Sequence, residues 1–173
     1  MQHLVTHYEN LELANSAAVS ASQLAEEETI RRVLHEALKE VDSSIAGTAL
    51  LGLSQLAQDH PGFDRQQIAA AALKLAGEGA AGELTRITAL QVCGRLGLKE
   101  ALPVVSQVAK EGETMALRIS AVAALGVLGG IEVKPFLQGL LSGAEERLKP
   151  PAHQALKRIQ QQEAQAAKAA TKG

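Results

Sequence analysis

The sequence predicts an all-α protein, and three observations support this fold class. Valine and isoleucine never alternate with polar residues over a long window, so strand patterns are nearly absent. Glycine and proline instead divide the chain into segments of about 12 to 20 residues, a length that suits helices. Of the 173 residues, 31 are alanine and 25 are leucine, whereas only Tyr8, Phe63 and Phe136 are aromatic. A core made of such small side chains requires helices that approach each other closely.

Composition and charge exclude several classes of protein. Seventeen basic and nineteen acidic residues leave a net charge of −2, so no overall field attracts the chain to DNA or to an anionic membrane. The shortage of aromatic rings argues against modules that stack nucleic-acid bases. Cys93 is the only cysteine and cannot form an internal disulfide. Because we find neither a secretory signal pattern nor a run of 18 apolar residues, we expect a cytoplasmic protein without a membrane partner.

The charges are graded along the chain. Residues 1–42 contain eight acids and three bases, whereas residues 145–173 contain three acids and six bases. Two interpretations follow. Charge blocks are usually solvated faces, and opposite signs at the two ends also suit head-to-tail self-association.

The amino-terminal half predicts three helices after a flexible segment or short helix at 1–21. The first spans about 22–41, and Glu26, Glu27 and Glu28 lie in its early turns, where the helix dipole favours anions. The second spans about 44–58. Asp64 caps a third helix that extends to about Ala76. The inward-facing residues of the second helix are predicted to be Ala49, Leu50, Leu53 and Leu56.

An internal repeat with a period of 32 residues aligns 84–111 with 116–143. The alignment superposes residues of both helices and of both breaks: Arg86 on Arg118, Gly94 on Gly126, Gly97 on Gly129, and Pro103 on Pro135. We expect the prolines in the first turns of the second helices and Gly97 and Gly129 at the ends of the first helices. Weaker copies upstream and downstream bring the total to about eight helices, of which the last begins near Lys149.

The residues of this repeat resemble a HEAT repeat, most closely the short class named after phycobilin lyases. The pattern that carries the resemblance is Leu117-Arg118-x-x-Ala121-x-x-Ala124-Leu125-Gly126-x-Leu128-Gly129, followed by Val133-Lys134-Pro135-Phe136-Leu137. The resemblance covers about 43–160 and implies an armadillo-like α-solenoid of antiparallel helices with terminal capping helices. Stacking of neighbouring helix pairs would bury apolar faces that a single helix pair leaves exposed to solvent. The predicted organisation is therefore a solenoid domain at 22–160, followed by an alanine- and lysine-rich helical extension at 161–173.

Three patterns that could indicate a ligand site have a simpler explanation. Gly77-x-Gly79-x-x-Gly82 matches a dinucleotide fingerprint in letters, but an alanine-rich helix precedes it where the fingerprint needs a strand. His3 and His7 could share a metal ion if their segment is helical, but no third ligand is fixed near them. The HEAT-type deoxyhypusine hydroxylases bind two irons through several His-Glu pairs, and this chain has only His35-Glu36. We therefore assign no catalytic, cofactor-binding or metal-binding residue.

Cys93 and the two repeated arginines are expected to be structural. Cys93 aligns with Leu125 at a core position, and no activating base lies within a turn of it. Arg86 and Arg118 are expected to pair with acids of neighbouring repeats and to lay their stems over the core, with Glu83 and Glu113 as candidate partners.

The resemblance implies that the second helix of each pair lines the concave side. The polar residues there are our candidates for binding a partner: Arg65, Gln66, Gln67, Lys74, Gln107, Lys110, Lys134 and Gln138. We predict a non-enzymatic protein-binding scaffold, adaptor or assembly factor with a protein partner and no cofactor. A bilin lyase-like enzyme or enzyme subunit, implied by the resemblance alone, is the alternative. A HEAT-like nucleic-acid-binding protein is disfavoured because such proteins need a basic groove and usually aromatic residues.

Overall fold

A computed structural model of the chain describes residues 27–38, 43–59 and 64–170. Regular structure in these ranges is exclusively helical, which confirms the predicted all-α class. The α-helices in chain order are α1 (Glu27–Ala37), α2 (Ser43–Asp59), α3 (Arg65–Gly77), α4 (Glu83–Leu96), α5 (Leu102–Glu111), α6 (Met115–Leu128), α7 (Lys134–Ser142) and α8 (Lys149–Ala170). Short 3-10 turns lead into three of them, at Lys99–Ala101, Ile131–Val133 and Glu146–Leu148.

The helix boundaries agree with the local signals in the sequence. Helix α2 extends one residue beyond the predicted range at each end. Asp64 caps α3 as predicted, because its Oδ1 accepts hydrogen bonds from the backbone N–H groups of Gln66 at 2.8 Å and Gln67 at 3.3 Å. The predicted segment 1–21 and the predicted limits of the first helix, near 22 and 41, lie outside the described residues.

Glycine and proline end and begin helices where the repeat predicts. Gly97 has φ +68°, the left-handed conformation that glycine adopts without strain, and its N–H donates to the Gly94 carbonyl at 3.1 Å. Pro103 and Pro135 lie in the first turns of α5 and α7, where a missing N–H leaves no helical hydrogen bond broken. Helix α8 starts at Lys149, also as predicted, and continues without a break through position 160.

The chain divides into two compact units, Met1–Val92 and Cys93–Gly173. In the amino-terminal unit, α1 packs on α2 and α2 packs on α3. A Cβ added to Gly47 of α2 would lie 3.1 Å from the Oγ1 of Thr85 in α4, so these two helices also approach closely. Large side chains without solvent exposure form the core of this unit, namely Leu34, Leu50, Leu53, Ile68 and Leu90.

In the carboxy-terminal unit, α6 is the central element. It packs against α5 on one side and against α8, and α8 packs in turn against α7. A Cβ on Gly126 of α6 would lie 2.6 Å from the Cα of Ala155 in α8, a separation that packed atoms do not adopt. The prediction that small residues permit close helix crossings is therefore confirmed here. The fully buried large side chains of this unit are Leu117, Leu125, Leu128, Leu137, Leu148 and Ile159.

The carbonyl groups at the end of α6 have hydrogen-bond partners from three directions. The Lys99 ammonium donates to the Leu128 carbonyl, and the Gln162 amide donates to the Val127 carbonyl at 3.3 Å. The Gly129 N–H donates to the Leu125 carbonyl at 2.8 Å. Because the last carbonyls of a helix have no partner within it, these bonds fix where α6 ends.

Candidate functional site

The candidate residues of the amino-terminal unit lie on α3. Arg65, Gln66, Gln67 and Lys74 are all exposed. Gln67 and Lys74 are seven residues apart, so they share one face of the helix. The opposite face of α3 packs into the core through Ile68, Ala72 and Ala76. Helix α3 therefore offers a polar face with Gln67 and Lys74, whereas Arg65, nine residues before Lys74, is exposed in the first turn on the opposite side.

The candidate residues of α5 lie beside the only aromatic ring among the described residues. Gln107 and Lys110 are both exposed and, at a spacing of three, lie on one face. The Lys110 Nζ is 5.7 Å from the ring centroid of Phe136 in α7. A cation over an aromatic face within about 6 Å is attracted by the ring quadrupole. The contact links α5 to α7 and restrains the Lys110 side chain at the surface.

The two candidates on α7 differ in their surroundings. Gln138 is exposed, four residues after Lys134. The Lys134 Nζ lies 2.6 Å from Glu163 Oε2 on α8, and the Lys134 side chain is only 23% exposed. This ion pair offsets the charge of Lys134 and holds α7 to α8. Of the two candidate lysines on the second helices α5 and α7, Lys134 has an acidic partner and Lys110 has none among the described residues.

Sequence reasoning missed Phe136 and Glu163 as parts of this surface. Phe136 superposes on Val104 in the repeat and was assigned to the fold, although its rarity as an aromatic residue was a usable signal. Glu163 lies in the extension beyond the repeat, where no equivalent position exists to predict its partner. We use the name "Lys110 surface" for Gln107, Lys110 and Phe136; Gln138 lies about 160° from Phe136 around α7, on the side of Lys134.

The expected structural roles of two other candidates are observed. Arg118 pairs with an acid as predicted, but the partner is Glu145 and not Glu113 or Glu83. Glu145 lies one period of 32 residues after Glu113, so the repeat itself relates the two acids. Cys93 is fully buried, and desolvation raises the pKa of its thiol from 9.0 to about 11. A backbone hydrogen bond lowers this pKa in part, and the negative charge of Glu100 raises it further.

The remaining patterns do not assemble a ligand site within the described ranges. Gly77 ends α3, and 78–82 form the link to α4, so the glycine pattern follows a helix as predicted. His3 and His7 lie outside the described residues. In the part of the chain that the structure describes, no three histidine, cysteine or acidic side chains cluster as metal ligands would. None of the helices described there is both long and apolar enough to cross a bilayer.

Comparisons of the chain with protein-family models, with curated proteins and with solved structures gave no match. The resemblance to HEAT repeats therefore depends on the residues of the internal repeat.

Proposed function

We propose that this chain is a non-enzymatic protein-binding scaffold, an adaptor or assembly factor that holds a partner on the second helices of its pairs. The observation that carries the proposal is the Lys110–Phe136 contact, at 5.7 Å between the ammonium and the ring centroid. It combines a cation and an exposed amide, Gln107, on α5 with a partly exposed ring on α7. Such surfaces bind peptides and helices through a few anchoring contacts surrounded by adaptable polar groups.

We further propose that the helix pairs are repeats of a HEAT-like α-solenoid. In the carboxy-terminal unit, the first helices α6 and α8 meet at Gly126 and Ala155, and the second helices α5 and α7 meet at Lys110 and Phe136. Contact of each helix with its equivalent in the next pair is the relation that defines a solenoid. The exposed run from Gln160 to Ala170 on α8 suits a terminal capping helix.

The structure changes which residue should dominate binding. Lys134 is already paired with Glu163, so reversing its charge would place two acids side by side and disturb α7 and α8. Lys110 makes its described contact with a ring and can approach an acidic group without breaking an ion pair. We therefore expect Lys110 to contribute more to binding than Lys134. On α3 of the amino-terminal unit, Lys74 is the equivalent exposed cation.

Site-specific photo-crosslinking in the native lysate tests the proposal. A photoreactive residue is placed at Gln107 or at Gln138, and a control is placed at the exposed Gln91 of α4, which is a first helix. We expect both test positions to give an adduct with the same protein and the control to give none. Equal labelling of one protein from Gln91, or no shared adduct from Gln107 and Gln138, would contradict the proposed surface.

A charge-reversal pair then tests the role of the cation. Lys110→Glu should weaken capture of the crosslinked partner, and Lys110→Arg should retain it because arginine also stacks on rings. Arg147→Glu, which makes the same change of charge at an exposed residue without an ion pair in the described structure, is the matched control. Unchanged capture by Lys110→Glu would exclude Lys110 from the interface.

A further inference from the structure

A second surface of the carboxy-terminal unit is a groove along α6 and α8, with a volume of about 390 Å³. Its apolar part consists of Ala123 of α6 with Pro151 and Ala155 of α8. Lys157 and Arg158 also line it and are both exposed. Arg158 and Glu163 are five residues apart, which at about 100° per residue places them about 140° apart around α8. The groove is thus separate from the side of α8 that pairs with Lys134.

Among the residues that the structure describes, the two cations of this groove have no acidic partner. Within residues 27–38, 43–59 and 64–170, neither Lys157 nor Arg158 forms an ion pair. Other cations of the same unit do, since Arg118, Lys134 and Lys149 each contact a glutamate. Two adjacent cations beside an apolar floor favour an acidic segment that also carries apolar side chains.

The chain itself contains a segment of this kind. Residues 1–26 include three acids and no lysine or arginine. In the run Glu9-Asn10-Leu11-Glu12, a leucine lies between two acids, so it could cover alanine and proline while the carboxylates meet the two cations.

We propose that the groove binds the acidic segment around Glu9–Glu12 of a second copy of this chain, which gives head-to-tail association. Because donor and acceptor surfaces differ, a pair joined in this way retains one unused segment, on one copy, and one unused groove, on the other. A heterologous contact of this kind closes into a ring or extends into a filament. The inference does not depend on the Lys110 surface or on its partner.

Sedimentation velocity of the full-length protein over a range of concentrations tests the association. In about 0.01 M salt, where the Debye length is about 30 Å, we expect species heavier than the 18.1 kDa monomer. In about 1 M salt, where that length is about 3 Å, we expect mainly monomer. A protein that stays monomeric at low salt at every concentration would overturn the proposal.

A charge exchange tests which surfaces meet. Lys157→Glu with Arg158→Glu should weaken self-association about tenfold or more, and Glu9→Lys with Glu12→Lys should do the same. Mixing the two double variants should restore association, because the unaltered acidic segment of the groove variant meets the unaltered groove of the segment variant, and the basic segment of the second faces the acidic groove of the first. Arg147→Glu with Lys172→Glu controls for net charge and should associate like the wild type.

The outcomes of the exchange are decisive in both directions. Association of the mixture but of neither variant alone supports the proposed contact. If the mixture stays monomeric while the wild type associates, another surface joins the copies and the groove has a different occupant. Circular dichroism of each variant shows whether the helices are retained.

Discussion

Arg118 and Glu145 form two parallel hydrogen bonds, Nη1 to Oε1 at 2.5 Å and Nη2 to Oε2 at 2.6 Å. The same guanidinium donates from Nε to the Ala109 carbonyl at 3.3 Å. One side chain of α6 therefore connects the end of α5 with the turn that leads into α8. The Arg118 side chain is only 17% exposed. The bidentate geometry makes the contact stronger and more specific in orientation than an ion pair with a single hydrogen bond.

The pairing makes the stability of the protein depend on pH in a predictable direction. The hydrogen bonds from Arg118 lower the pKa of Glu145, so the folded state favours the charged carboxylate. The stabilising contribution is therefore present above the unfolded pKa and is lost as the pH falls through the folded pKa. We expect Glu145→Gln to lower the urea midpoint at pH 7 and to match the wild type in strong acid.

The control for this prediction is Glu111→Gln, which neutralises an exposed acid of the same unit that has no ion pair in the described structure. Its midpoint should follow the wild type throughout the titration. A difference between Glu145→Gln and the wild type that stays constant from neutral to acidic pH would show that the carboxylate charge is not the cause.

The space around two glycines predicts opposite effects for their replacement by alanine, because Gly126 lies where α6 contacts α8 and Gly139 lies on an open face of α7. A Cβ at Gly126 would lie 2.6 Å from the Cα and 2.8 Å from the Cβ of Ala155, so Gly126→Ala must separate the helices. Overpacking of this kind destabilises by about 1–3 kcal/mol. A Cβ at Gly139 of α7 meets no atom within 4 Å, so Gly139→Ala should stabilise by about 0.5–1 kcal/mol through helix propensity. Urea unfolding followed by circular dichroism measures both, and equal effects would contradict the packing account.

The repeat predicted the helices well but not the contacts between them. Gly94 and Gly126 occupy the same repeat position, yet a Cβ at Gly94 would lie 3.8 Å from its nearest neighbour, an ordinary contact. Helix crossing distances depend on all packed neighbours. The presence of glycine at both repeat positions therefore could not show that, of the two, only Gly126 must lack a Cβ. Local signals, such as the Asp64 cap and Pro103, were reliable because short-range geometry determines them.

The candidate surface shows the same limit. Helical periodicity, together with the alignment of the repeats, predicted the exposure of Gln107, Lys110 and Gln138. The pairing of Lys134 with Glu163 did not, because the two residues are 29 positions apart and Glu163 lies beyond the repeat. A single sequence identifies polar positions, but it does not determine which of them interact with each other.

The hydrogen bond from Lys99 to the Leu128 carbonyl predicts a local loss of protection. In Lys99→Met, a C-terminal carbonyl of α6 loses its partner, which costs about 1 kcal/mol. We expect faster amide hydrogen exchange in peptides that cover 125–133 and unchanged exchange in α3. Lys74→Met, which removes an exposed lysine of α3, is the control and should leave exchange in α6 unchanged. Uniform acceleration across the chain would instead indicate global destabilisation.

The thiol of Cys93 should react very slowly with thiol-specific reagents in the folded protein. It is fully buried, and desolvation raises the pKa of its thiol to about 11, so the reactive thiolate is scarce at pH 8. We expect a thiol-specific reagent to label the native protein at least about 100-fold more slowly than the urea-unfolded protein. Exposed Gln160 replaced by cysteine in a Cys93→Ala background provides the control for reagent access and should react at once.

The raised pKa of the Cys93 thiol also makes stability depend on pH. The protonated thiol favours the folded state below the pKa of the unfolded chain, and this contribution is lost as the pH rises from 9.0 toward 11. The wild type should therefore lose stability in that range faster than Cys93→Ala, and parallel losses would show that the thiol is not desolvated.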